Sequence, residues 1–473
     1  MPVDAPLTFG QLSTWRSIET FATDRLMEVN VPALWDVEGL QAPAIDRALR
    51  VLTYRHDSLR TTFHTDADGR PFQRVHPEVP LRLDRLDLPS VTPQDGARVL
   101  RELYARPFPV VGDPGWHGTL ICAAGRPRYL AVSMSHMVVD VWAIRELERQ
   151  LKELAARGGG DPAADGRPGP APRELAVLQH GDAWAGHRRG AEKYWKKILA
   201  GGPLSNLPAR TPGSDERRIQ ATLRSPRLAA LVADAASAHR VSPQSVLTAL
   251  TGAALSGVLS RNRIMLSLMC ANRFDPLWQP VVSTMNQLVP LPCAVDPDAP
   301  LSGFLKRAHL SSLLAYRHGS YDVDAAARLA AEAPGPDGSL FVHDCWFNYV
   351  AEESEPSADV PSASSPPPVP ARDRADVPSG ASLTWTPPAR EAGHPFYLRV
   401  NAEGAHQVEL TLRSDPDVLG EEDVTAVLRT IALGALRAAT EPEATVGALL
   451  DDGRARGELG ADLFPRQPAL AKG

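Results

Sequence analysis

The residues best suited to chemistry lie in one short run, SMSHMVVDVW, residues 133–142. His136 carries an imidazole whose unperturbed pKa of roughly 6.5 lets it accept a proton near neutrality, which is what a general base must do. Asp140 follows four residues later. Its carboxylate could cap a helix by accepting the free amide hydrogens of the first turn. For His136 the alternative is a core histidine satisfied by ordinary hydrogen bonds. Residue type and spacing alone leave both alternatives open.

The elements on either side of this run determine where those two side chains can stand. From Tyr129 to Met134 the apolar Leu130, Val132 and Met134 alternate with Ala131 and Ser133, the pattern of a strand with one face on a core. Beyond it, Val141, Ile144, Leu147, Leu151 and Leu154 recur at three and four residues, so a helix is expected from about Asp140 to Gly158. His136 therefore falls in a short loop at a strand end, followed at once by a helix.

Other chemistries find no support. The sequence has no GxSxG nucleophile elbow, GxxxxGK[ST] phosphate loop, GxGxxG dinucleotide turn or HExxH zinc helix. The 13 histidines do not pair on a helix face as metal ligands would. The 4 cysteines, Cys122, Cys270, Cys293 and Cys345, are too far apart for a zinc knuckle, a redox CxxC or a disulfide framework, and a reducing cytoplasm is expected. The balance of 50 Lys+Arg against 56 Asp+Glu, a net charge of −6, leaves no basic surface run for nucleic acid. The amino terminus lacks the basic start and apolar block of a secretory signal. Between Arg240 and Arg261 lie twenty uncharged residues. Ser242, Gln244, Thr248, Thr251 and Ser256 make that stretch too polar for a membrane span, so it is expected to be a buried helix capped by Ser242 with Pro243 at its first position.

At 473 residues with 43% hydrophobic content, the chain exceeds what one core usually serves. Helices are expected near 8–24, 41–55, 95–105, 141–156 and 174–199, and strands near 59–65, 71–76, 117–123 and 128–135. A second set of helices, 226–239, 243–260, 302–316 and 421–438, goes with strands near 263–270, 341–350, 395–400 and 407–413. The expected division is a mixed α/β lobe over 1–173 and another over 174–450. A Pro/Ser-rich insert at about 352–391 reads as flexible, and 451–473 as a loose tail.

HMVVDVW is similar to the HHxxxDGW signature of the condensation domains of non-ribosomal peptide synthetases, and further blocks extend the resemblance. TFGQLSTW (Thr8–Trp15) resembles the family's opening motif. RHDSLRTTF (Arg55–Phe63) is close to RHExLRTxF. CANR (Cys270–Arg273), VVSTMNQLVPL (Val281–Leu291) and DCWFNYV (Asp344–Val350) resemble the NR segment, the VGxFVNTLPL motif and the late FNY strand. Five blocks in order across the chain make the resemblance specific.

The resemblance implies an α/β fold of two chloramphenicol acetyltransferase-like lobes in a V with a tunnel between them. It implies acyl transfer from a carrier-bound or other thioester to an amine or hydroxyl acceptor. His136 would be the catalytic residue. Asp140 would hold its loop through an arginine, Arg273, from the second lobe, with Ser135 as further support. Val141, Trp142 and Asn286 would line the tunnel. The expected partners are an acyl or peptidyl carrier protein and a small-molecule acceptor, with no nucleic acid and no membrane. No cofactor or metal of the chain's own is expected, the phosphopantetheine arm being the carrier's. With no adenylation or carrier segment in the sequence, a freestanding enzyme acting in trans is expected. Two departures stand out: Ser135 replaces the first signature histidine, and Val141 the glycine after the aspartate. They leave a second expectation, a catalytically inactive domain that recruits carrier proteins or tailoring enzymes.

Overall fold

The apolar alternation around residues 117–135 becomes an antiparallel strand pair in the computed structural model, which describes residues 1–159, 169–208, 217–335, 338–352, 381–390, 394–403, 407–441 and 443–454. The described chain divides into two compact units. The first comprises Met1–Glu192, Ala271–Gln287 and Ser320–Ala326, and the second the intervening and remaining segments.

The first unit contains strands β1 (Val3–Pro6), β2 (Asn30–Asp36), β3 (Thr61–Thr65), β4 (Pro71–Val75), β5 (Leu83–Leu88), β6 (Trp116–Ala123) and β7 (Arg126–Ser135). They form a four-stranded sheet in the order β2-β7-β6-β5 and a three-stranded sheet in the order β1-β4-β3. Its helices are α1 (Phe9–Ile18), α2 (Ala42–Arg55), α3 (Pro93–Tyr104), α4 (Val141–Ala156) and α5 (Pro172–His180), with the boundary falling inside α6 (Ala185–Gly201). The core under the four-stranded sheet gathers Trp35, Ile45, Leu52, Leu120, Leu130, Met137 and Leu151. Helix α1 opens with a capping box, Thr8 with Gln11, but ends at Ile18 rather than near residue 24. There the Thr20 hydroxyl donates to the Ser17 carbonyl, a local bond that competes with helix continuation.

The second unit contains β8 (Arg217–Arg224), β9 (Arg263–Cys270), β10 (Gln287–Ala294), β11 (Cys345–Glu352), β12 (Ser382–Arg390), β13 (Phe396–Glu403) and β14 (Gln407–Ser414) in one seven-stranded sheet, order β10-β9-β11-β13-β14-β8-β12. Its helices include α7 (Leu228–His239), α8 (Pro243–Leu259), α9 (Leu301–Arg317), α10 (Val323–Glu332, which begins in the first unit), α11 (Glu421–Thr440) and α12 (Val446–Arg454). The uncharged stretch after Arg240 is α8, capped by Ser242 with Pro243 in its first turn. Thr248 and Thr251 return their hydroxyls to the Gln244 and Leu247 carbonyls, so these buried polar groups are satisfied. Among the described residues no helix is long and apolar enough to cross a membrane.

Two expected boundaries need correction. The division expected at 173/174 falls instead after Glu192. The reason is that α5 packs with the first unit: Leu175 joins Trp278, Val281 and Met285 in one apolar cluster, and the Gln179 carboxamide accepts the Phe9 amide at 2.8 Å. The insert expected as flexible over 352–391 ends in a regular strand, β12, which pairs antiparallel with β8. Residues 353–380 and 391–393 of that insert, and 455–473 of the expected tail, lie outside the described residues, while 451–454 belong to α12.

Three of the strands absent from the sequence reading share a cause. Pro32 in β2, Pro290 and Pro292 in β10, and Pro387 and Pro388 in β12 would argue against a central strand, yet all three are edge strands, where a missing N–H is tolerated. In β12 the register also shifts between Thr386 and Ala389, next to the two prolines.

Candidate active site

Strand β7 ends at Ser135, and the chain is fixed on both sides of that point. The Ser135 amide donates to the Gly115 carbonyl at 2.7 Å, and the His136 amide to the Val29 carbonyl at 2.8 Å. Met137, Val138 and Val139 are then buried in the core. Three consecutive apolar side chains thus anchor the loop and leave His136, which is partly exposed, as its polar member. Ser135 bonds within the turn: its Oγ accepts the Met137 amide at 3.3 Å. Gly115, at φ +70°, leaves the turn no room for a side chain of its own: a Cβ there would stand 2.9 Å from Val138 Cγ2 and 3.1 Å from Ser135 Cβ.

Asp140 makes contacts on two sides. Its Oδ1 accepts the Ala143 amide at 2.8 Å, capping α4. Arg273 Nη2 also lies 3.0 Å from each carboxylate oxygen, and the Met285 amide donates to Oδ2 at 3.0 Å. Further donors of Arg273 go to backbone: Nη1 to the carbonyls of Val281 (2.6 Å) and Trp278 (3.1 Å), and Nη2 to Ser283 (3.0 Å). Asn272, held at φ +55°, adds a bond from its side-chain amide to the Met285 carbonyl at 2.8 Å. The Asn272–Arg273 pair therefore shapes segment 278–285, and Asp140 fastens that segment to the loop of His136. Arg273 was expected to reach Asp140 from the second lobe. It belongs instead to Ala271–Gln287, a segment compact with the first unit, where Asp140 holds both the Arg273 guanidinium and the Met285 amide.

That segment brings a residue to His136 that sequence reasoning missed. Thr284 Oγ1 stands 3.3 Å from His136 Nδ1, and the same hydroxyl donates to Asn286 Oδ1 at 2.8 Å. The available signal was a pair of hydroxyls, Ser283 and Thr284, in an otherwise apolar run. Both are fully buried, and buried hydroxyls need partners. Gly10 of α1 lies against the same backbone: a Cβ there would stand 2.7 Å from Met285 Cα and from the Thr284 carbonyl oxygen. His136, Asp140, Arg273 and Asn286 are thus brought together, with Thr284 as the link. Val141 opens α4 partly exposed. Trp142 remains 40% exposed and donates its indole N–H to the Gln279 carbonyl at 3.1 Å.

Burial lowers the pKa of His136 below its ordinary 6.5, opposed by the Asp140 carboxylate and by the residue's own backbone carbonyl. The imidazole is consequently neutral at physiological pH and able to accept a proton. Thiol chemistry is disfavoured elsewhere: all four cysteines are buried, and burial pushes Cys293 up to about 12. Among the described residues no group of three or more His, Cys, Asp or Glu side chains could hold a metal.

The family profile described as condensation domain matches residues 7–369. The chain belongs to the condensation-domain family. Among relatives, one of the plipastatin synthase proteins of Bacillus subtilis is 27% identical over 303 residues, 62% of this chain and 8% of that protein. Enniatin synthase of Fusarium equiseti is 33% identical over 175 residues, 36% of this chain and 6% of that protein. The chain thus spans less than a tenth of the length of these two relatives. Among solved structures, the condensation domain from Monacolin K polyketide synthase MokA superposes with a TM-score of 0.73 at 17% identity, covering 94% of this chain and 99% of that one. The fold is that of condensation domains, chloramphenicol acetyltransferase-like, and the family works in non-ribosomal peptide synthesis as a transferase.

Proposed function

We propose that this condensation domain transfers an acyl group from a carrier-protein-bound phosphopantetheine thioester, or another thioester, to a small-molecule amine or hydroxyl in natural-product biosynthesis. The observation that carries this reading is the neutral, partly exposed His136 on a loop fastened by the Asp140–Arg273 pair. In the reaction, the acceptor nitrogen or oxygen attacks the thioester carbonyl carbon. A C–N or C–O bond forms, the C–S bond breaks, and the proton from the acceptor passes by way of His136 to the departing sulfur. Asp140 and Arg273 keep the imidazole in place, Ser135 holds the turn, and Val141, Trp142 and Asn286 line the substrate path. The chain supplies no cofactor, and the cytoplasm, where carrier proteins are loaded, is the site of action.

Ser135 and Val141, at signature positions that are otherwise histidine and glycine, favour a second reading in which the domain recruits partners without catalysis. Incubating the protein with acyl-loaded carrier and candidate amines, with products read by mass spectrometry, separates the two. Under the catalytic reading, His136→Ala lowers product formation roughly 10²-fold or more while carrier binding survives. Equal product from wild type and His136→Ala, or none from either alongside tight carrier binding, supports recruitment.

A further inference from the structure

We propose that Thr284 is a positioning residue that fixes the tautomer of His136, holding the ring proton on Nδ1 and leaving the lone pair on Nε2. The inference deepens the catalytic reading above and rests on it for its functional consequence. A threonine hydroxyl has a single hydrogen, and here that hydrogen goes to Asn286 Oδ1 at 2.8 Å. Facing His136 Nδ1 at 3.3 Å, Thr284 Oγ1 is left with lone pairs only, so Nδ1 must bring the hydrogen to that contact. That acceptor selects the tautomer, because the hydrogen bond made by one ring nitrogen sets the state of the other.

The residue at this position departs from the family motif. Aligning VVSTMNQLVPL with VGxFVNTLPL on Asn286 puts Thr284 where the motif has phenylalanine, two residues earlier, a side chain with no hydroxyl to offer. Thr284 is fully buried and its hydroxyl is engaged on both sides, so it touches His136 without being exposed to substrate. It therefore acts through the histidine.

The test is ¹⁵N histidine NMR of the full chain, comparing wild type with Thr284→Val and Thr284→Ser and assigning His136 by its absence in His136→Ala. The expected wild-type spectrum shows the Nδ1-protonated form. Thr284→Val, nearly isosteric, should shift the ring toward a mixture of tautomers and lower acyl transfer about tenfold, a part of the roughly 10²-fold that a positioned base supplies. Thr284→Ser should restore both. A wild-type ring protonated on Nε2, or a Thr284→Val ring unchanged from wild type, overturns the proposal. Turnover of His136→Ala, measured separately, tests the catalytic reading without affecting the tautomer result, so the two failures are distinguishable.

Discussion

One nitrogen of Arg273, Nη2, lies 3.0 Å from both carboxylate oxygens of Asp140, and both side chains are almost closed to water, at 2% and 6% exposure. Such a pair is weak evidence for net stability, since both charges had to be desolvated, but removing one member strands the other. Asp140→Ala should therefore lower unfolding stability by roughly 3–5 kcal/mol in urea titration, and Arg273→Ala by a similar amount. A loss below about 1 kcal/mol would mean that water replaces the missing carboxylate.

Gly10→Ala offers a test with an inverted sign. In an exposed helix interior the change normally stabilises by up to about 1 kcal/mol. At Gly10 the new methyl would meet Met285 Cα and the Thr284 carbonyl oxygen, each at 2.7 Å, and these are backbone atoms that cannot swing aside. Overpacking of this kind costs roughly 1–3 kcal/mol. Because that backbone carries Thr284, turnover should fall along with the melting temperature, and a stabilised Gly10→Ala with full turnover would contradict the account.

The pH dependence of acyl transfer follows from His136. Its folded pKa lies below 6.5 because of burial, so the unprotonated form dominates at neutral pH and decreases only on the acid side. The kcat/KM profile should rise through a value below 6.5 and be flat from about 7 upward. The Asp140 carboxylate pulls that value upward, so in the folded fraction of Asp140→Asn the acid limb should move to lower pH.

Acid should also weaken the fold through His56. Burial lowers its pKa from 6.5 to about 4, against the bond it makes with Gln150. A folded value below the unfolded one means that the unfolded chain binds the extra proton first, so the contribution is complete above pH 6.5 and is lost as pH falls toward 4. The amount is of the order of 3 kcal/mol. Urea titrations at pH 7 and 5 should show this slope in wild type, and a flatter one in His56→Gln.

The strand–loop–helix around His136 was legible because its apolar periods are regular, and the family resemblance supplied Asp140, Arg273 and Asn286. What stayed hidden was what depends on tertiary position. The prolines of β2, β10 and β12 signal breaks unless a strand is known to lie at a sheet edge. Thr284 carries no periodic or motif signal, and its role emerges only when Arg273 draws segment 278–285 against the loop. The Ser135 hydroxyl serves the Met137 amide, a local choice that spacing cannot predict.

The first compact unit is assembled from three stretches of chain, and the partners of Asp140 and of the His136 ring, Arg273, Met285 and Thr284, come from the second of them, Ala271–Gln287. This sets where the gene can be recombined. A chimera that exchanges residues 1–173 with a relative joins a donor's loop to a recipient's clamp, separating Asp140 from its own Arg273, Met285 amide and Thr284. Grafts that carry 271–287 along with the amino-terminal portion keep the clamp and the histidine from the same parent, and those are the crossovers expected to yield working hybrids.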